Sequence, residues 1–134
     1  MFRRQPAALA LSGVTLLLWG MLAPGCSSNP ASPSLIVDEI SIESVEVLIL
    51  ETFPVQATAH VQGTLGDGCT EFHSLTQSRA GNEITVTILK KRPREAVCIQ
   101  IAKLYEANIP LQGQYPPGKY LLRVNGFEKA FSTD

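Results

Sequence analysis

The sequence predicts an all-β chain: a single antiparallel β-sandwich of about seven strands with one disulfide, spanning residues 35–134. Three observations carry this expectation. Apolar and polar residues alternate over several short segments, the period of two that belongs to strands with one buried face. Turn-forming residues separate these segments at short intervals, while helical periodicity is scarce. Two cysteines, Cys69 and Cys98, stand inside the same region.

The segments are taken in chain order. Within "SVEVLIL", Val45, Val47 and Ile49 share one side. Pro54 breaks this run from "VQATAHVQGTL", where Val55, Ala57, Ala59, Val61 and Leu65 face one way and Gln56, Thr58, His60, Gln62 and Thr64 the other. The segment Phe72 to Ser78 leads into "RAGN", a hairpin turn, and then into "NEITVTILK", with Ile84, Val86 and Ile88 inward and Thr85 and Thr87 outward. The stretch "AVCIQIAKLYEANIPL" is open to one long strand, two strands, or a strand and a helical turn. The clustering of Ile and Val about Cys98 favours a strand over Val97 to Ile101.

The last hairpin is the clearest element. Asn125-Gly126 is the strongest two-residue signal for a type I′ turn. It predicts that Val124 pairs with Phe127, Arg123 with Glu128, and Tyr120 with Phe131. Tyr120, Val124, Phe127 and Phe131 then form an apolar patch, while Arg123 and Glu128 meet as an exposed ion pair of little energetic value. Ahead of this turn, Pro116, Gly118, Tyr120, Val124 and Gly126 fall in the pattern P-x-G-x-Y-x-x-x-V-x-G. This resembles the ending of many immunoglobulin-like and fibronectin-type domains of secreted bacterial proteins, over about the last 20 residues. The resemblance implies an immunoglobulin-like sandwich and carries no activity. The Cys…Trp…Cys pattern of antibody domains is absent, since the single Trp of the chain is Trp19.

Residues 1–25 have a different character. Arg3 and Arg4 open a short basic start, and Ala7 to Leu22 is an uncharged run of mostly apolar residues, the two parts of a secretory signal. The run is shorter than the roughly 20 residues that a spanning helix needs. Ala23, Pro24 and Gly25 then precede Cys26. The order of parts resembles the bacterial lipoprotein signal, whose Leu-(Ala/Ser)-(Gly/Ala)-Cys lipobox is cut before the cysteine by signal peptidase II. Leu22 stands one place earlier than in that pattern. The resemblance implies that the Cys26 thiol carries a diacylglyceryl group and that the new amino terminus is acylated. Two or three chains, at about 0.8 kcal/mol per buried CH₂, hold a protein at a membrane stably where one does not. Ser27, where an Asp would imply retention at the inner membrane, implies the outer membrane in a Gram-negative cell. "SSNPASPS" follows and cannot build a core, so residues 26–34 read as the lipidated Cys and a flexible tether, reaching roughly 25 Å if extended.

With Cys26 lipidated, Cys69 and Cys98 are an even pair in an oxidising compartment, and a disulfide is the expected outcome. A metal-binding alternative uses the same sulfurs. Asp67, Cys69, Glu71 and His73 alternate, so on a strand they share a face, and Cys98 would complete a Cys₂His zinc site of Cys69, His73 and Cys98.

Other site chemistry is thin. Without residues 1–25, nine Lys and Arg stand against twelve Asp and Glu, a net charge of −3 that does not point to nucleic acid. Lys90, Lys91, Arg92 and Arg94 form the charge run "KKRPR", which is either a contact for anionic headgroups and wall polymers or a strand end kept from edge pairing by its cations. His73 and Ser74 are neighbours in sequence and should point to opposite faces of a strand, and no Gly-x-Ser-x-Gly elbow or phosphate loop stands in the chain. His60 falls on the polar face, and Glu43, Glu46 and Glu51 read as surface charges. A protease-inhibitor reading meets only the Asn-Pro of "NPASPS" and the Arg92-Pro93 of "KRPR".

The expectation is therefore a lipid-anchored envelope protein presenting a binding or structural module, without catalysis and without a cofactor. Its partners are membrane lipid, through acylated Cys26, and an envelope protein or polymer. The zinc protein is the alternative and protease inhibition a distant third.

Overall fold

Alternation in the sequence becomes eight strands, with no helix among the described residues: β1 (Leu35–Glu39), β2 (Ser41–Leu50), β3 (Gln56–Gly66), β4 (Glu71–Ala80), β5 (Glu83–Pro93), β6 (Lys103–Pro110), β7 (Gly118–Val124) and β8 (Phe127–Thr133). The structure is a computed structural model that describes Gly25 and residues 32–134. The apolar run, Cys26, Ser27 and most of the expected tether lie outside the described residues. Residues Ser32–Asp134 form one compact unit.

The strands make two sheets. One is the three-stranded sheet β2-β3-β6, antiparallel throughout. The other is five-stranded and built around β5. Strand β4 pairs along one edge of β5; β1 and β7 share the other edge end to end, and β8 pairs with β7. Strand β7 runs parallel to β5, matching Glu83 to Leu121 and Val86 to Val124. The antiparallel sandwich that the sequence predicts has no such pair. Parallel pairing follows from the long connection through residues 94–117, which returns the chain to β5 from the opposite sheet.

The inward positions are those the period of two assigns. Ala57, Ala59, Val61 and Leu65 of β3, Ile84, Val86 and Ile88 of β5, and Val45 of β2 are buried in the core. Gly63 continues the inward side of β3. A Cβ there would meet the Ser41 carbonyl oxygen at 2.3 Å, so only glycine lets β2 bulge past it between Ile42 and Ser44. The final hairpin has the expected register, Val124 with Phe127, Arg123 with Glu128 and Tyr120 with Phe131, and Asn125 turns it at φ 50°. Arg123 Nε lies 2.9 Å from Glu128 Oε1.

The strand expected over Val97 to Ile101 does not form. The chain turns at Arg94 and Glu95, crosses from one sheet to the other as residues 96–102, and begins β6 only at Lys103. Branched side chains did not decide the matter because they have nothing to pack on: Val97 is fully exposed, and Ile99 and Ile101 are 69% and 61% exposed. The segment is held instead by one backbone hydrogen bond, Gly68 N–H to the Ile99 carbonyl at 2.9 Å, and by Cys98.

Two packing features hold the five-stranded sheet. Tyr115, in the loop after β6, is fully buried; its hydroxyl donates to the Gln112 carbonyl at 3.0 Å, and its ring meets Tyr120 edge-on at 5.2 Å. The Arg79 guanidinium lies 4.6 Å above that ring, while Tyr120 stacks on Phe131. The second feature is Asn125. Where β1 and β7 meet on the edge of β5, the Asn125 backbone N–H donates to Val86, its Nδ2 donates to the carbonyls of Ile40 (2.7 Å) and Ile88 (3.1 Å), and its Oδ1 accepts from Ile88 N–H (2.8 Å). Asn125→Gly keeps the left-handed backbone and removes only the amide. It is expected to lower unfolding stability by about 1–3 kcal/mol, the cost of leaving such groups unpaired. Urea denaturation should show a lower midpoint with an unchanged slope.

Candidate functional site

One end of the sandwich gathers most of the residues that the sequence singled out. Strand β3 ends at Gly66, whose φ of +113° turns the chain away from the sheet. Asp67 then folds a tight turn on itself. Its Oδ1 accepts from the Cys69 N–H at 3.1 Å and from the Thr70 hydroxyl at 2.8 Å, and its carbonyl accepts from the Thr70 N–H at 3.2 Å. This turn presents Cys69 to Cys98, and the two form a disulfide with Cα atoms 5.5 Å apart, 29 residues apart in sequence.

That bond occupies both sulfurs that the zinc alternative needs. Both sulfurs are joined to each other, so neither Cys69 nor Cys98 offers a thiolate. His73 is exposed at a bulge of β4, between Phe72 and Ser74, and not on a straight strand with Asp67 and Glu71. Among the described residues no three His, Cys, Asp or Glu side chains cluster as a metal site.

Charge reaches the same end along β5. The inward series Ile84, Val86, Ile88 continues as Lys90 and Arg92, beyond the apolar core. Arg92 Nη2 lies 3.2 Å from Asp67 Oδ2, the carboxylate being only 10% exposed, and reaches the Ala96 carbonyl at 3.5 Å. Arg92 Nε is buried without a partner. Lys103 Nζ donates to the Thr70 carbonyl at 3.0 Å from the other sheet. The Asp67 carboxyl is held below its ordinary value, first by the Thr70 hydroxyl, with burial opposing and the Cys69 N–H and Arg92 charge assisting. A recess of about 230 Å³ beside this pair is lined by Ile36, Asp38, Lys90 and Lys91 among others.

These contacts revise both readings of "KKRPR". Strand β5 is paired on both edges, so its cations do not guard a free edge. Nor do they form an unopposed basic patch. Asp38 stands opposite Lys90, Glu71 opposite Lys91, and Asp67 is bonded to Arg92. Arg94 is exposed, and its N–H donates to the Ser34 carbonyl at 2.9 Å.

The histidines are not brought together. His60 faces outward from β3 but is only 24% exposed; its Nδ1 is bonded to Asn108 Oδ1 at 2.8 Å and its Nε2 lies 3.4 Å from Glu106 Oε1, both on β6. From the sequence alone His60 is a plain surface residue, because the pairing of β3 with β6 has no local signal. Glu43 accepts a hydrogen bond from the Thr64 hydroxyl, Glu46 stands opposite His60, and Glu51 follows the end of β2. No hydrogen bond among the described residues links His73 to Ser74 or Asp67.

Removing both sulfurs together, as Cys69→Ser with Cys98→Ser, releases a loop of 29 residues. It is expected to lower stability by about 3–4 kcal/mol on the chain-entropy account, read as a fall in the urea midpoint. For Asp67 the sign follows from its lowered pKa. The ionised carboxylate stabilises the fold fully above the ordinary carboxyl value of 3.8, and that contribution is lost as pH falls through the lower folded value. Asp67→Asn should therefore be less stable than the parent at neutral pH, and the gap should narrow in acid, in thermal melts between pH 7 and 2.

Comparison with known proteins places this architecture. Residues 59–133, from within β3 to the end of β8, match the model of a family described as the ORF11 beta-sandwich domain. An uncharacterised 10.2 kDa protein in the HgiCIIM 5′ region of Herpetosiphon aurantiacus is 37% identical over 89 residues, covering 66% of this chain and 95% of that protein. Another, an uncharacterised 10.2 kDa protein in the HgiBIM 5′ region of the same organism, is 34% identical over 79 residues, 59% of this chain and 96% of its own length. No solved structure matches. With more than half of its length matched, and with the two sheets that the description calls for, the chain belongs to the ORF11 beta-sandwich domain family.

Proposed function

We propose that this protein is a lipoprotein of the cell envelope, held in the membrane by an acylated Cys26 and presenting its β-sandwich as a non-catalytic binding or structural module. The single observation that carries the reading is the junction Gly25-Cys26. It follows a basic start and an uncharged apolar run, and precedes the tether "SSNPASPS". Two features of the sandwich support it. The oxidised Cys69–Cys98 pair suits an exported protein, because cytosolic thiols are kept reduced. The groups that would have tempted a catalytic reading have structural partners: Asp67 is bound by Thr70 and Arg92, and His60 by Asn108 and Glu106.

In a cell with two membranes, Ser27 directs the anchored protein to the outer one. Its partner is an envelope protein or polymer met at the sheet edges or at the loops of the disulfide end. The anchor is tested by growing cells that express the parent or Cys26→Ser with a clickable palmitate. The parent should take up label and give a mature N-terminal peptide carrying acyl mass on Cys26, and the variant should take up none. Label retained by Cys26→Ser, or a parent N-terminus without acyl mass, would overturn the assignment.

A further inference from the structure

The disulfide end carries an apolar ridge that the fold does not use. Val97, Ile99 and Ile101 are spaced two apart along the crossing segment, and each is more than 60% exposed. Leu104, at the start of β6, adds a fourth side chain at 80%, and Leu35, at the start of β1, is 46% exposed at the same end. A run of branched aliphatic side chains left in water in this way marks a contact surface.

The path of the chain says what meets it. Strand β1 begins opposite the last residue of β5, Leu35 against Pro93. The Arg94 N–H holds the Ser34 carbonyl at 2.9 Å, immediately before the crossing segment. The polypeptide therefore comes into the sandwich beside the ridge, and only eight residues separate Cys26 from Leu35. An acyl group on Cys26 would bring this end of the sandwich nearest the bilayer. Net charge does not drive the contact. Five Lys and Arg stand against five Asp and Glu over residues 35–39, 67–72, 90–95 and 103, so apolar area must carry it. Arg94, exposed and just ahead of the crossing segment, has a long stem that can lie along apolar surface with its charge in the headgroup layer.

We infer that Val97, Ile99 and Ile101 form a membrane-docking ridge that seats the disulfide end of the sandwich in the headgroup–acyl boundary of the bilayer that holds Cys26. The inference rests on the acylation proposed above and deepens it: the protein sits on its membrane in one orientation. Both the ridge and the disulfide serve that orientation, since Cys98 fixes the middle of the ridge to the turn after β3.

The chain has no Trp after Cys26, so a single introduced Trp is an unambiguous reporter. Acylated protein carrying Ile99→Trp, or Phe53→Trp at the opposite end where Phe53 is fully exposed, would be reconstituted into vesicles of phosphatidylethanolamine and phosphatidylglycerol with brominated acyl chains. The expected result is a blue-shifted Ile99→Trp emission that bromine quenches and iodide does not, with Phe53→Trp open to iodide and untouched by bromine. Iodide quenching equal at both positions in vesicle-bound protein overturns the ridge and leaves the anchor standing. Ile99→Trp shielded from iodide without bromine quenching also overturns it, because a protein surface then covers the ridge. A parent chain that carries no acyl mass and does not float with vesicles overturns both.

Discussion

Everything in the larger sheet depends on how one edge of β5 is shared. Two strands, one antiparallel and one parallel, abut there, and at the junction stand the Ile40 carbonyl, just after β1, and the N–H and carbonyl of Ile88 in β5. The side-chain amide of Asn125 has one donor group and one acceptor in the geometry needed to satisfy them. It thereby couples β1, the centre of the sheet and the last hairpin at one point. The same residue holds the left-handed φ of 50° at the turn, so turn geometry and sheet cohesion meet at one position.

A second polar network closes the opposite stretch of the same strand. Asp67, Thr70, Arg92 and Lys103 tie the end of β3, the end of β5 and the start of β6 together around the disulfide. It occupies the place where apolar packing runs out, beyond Ile88 and Leu65. Small domains bury too little surface to leave such an end unsupported. The same network explains why the crossing segment need not be a strand: its position is fixed by one covalent bond and a few polar contacts, and its aliphatic side chains remain free to face outward.

Much of the fold is legible in local pattern. The inward sets Ala57-Ala59-Val61 and Ile84-Val86-Ile88, and the pairing dictated by Asn125-Gly126, follow from a period of two and one turn dipeptide. The strand expected over Val97 to Ile101 is absent because β propensity records a fit to a pleated, half-buried surface, and these residues have no such surface beneath them. The Arg79 guanidinium over buried Tyr115, the bonding of His60 to β6 and the second duty of Asn125 join residues 30 or more positions apart, which no local pattern encodes. Arg92 was within reach: extending the inward series of β5 by two steps places it on the core face, where a guanidinium needs a carboxylate.

The direction of the last strand has a practical meaning. Strand β8 runs antiparallel to β7, and β7 parallel to β5, so Thr133 finishes beside Gly118 at the start of β5, while Leu35 sits at its finish. The eleven residues of β5 separate the two points by roughly 35 Å. The chain thus enters the domain at one end and finishes its last strand at the other, so cargo fused behind Thr133 would ride a full sandwich height from the point of entry.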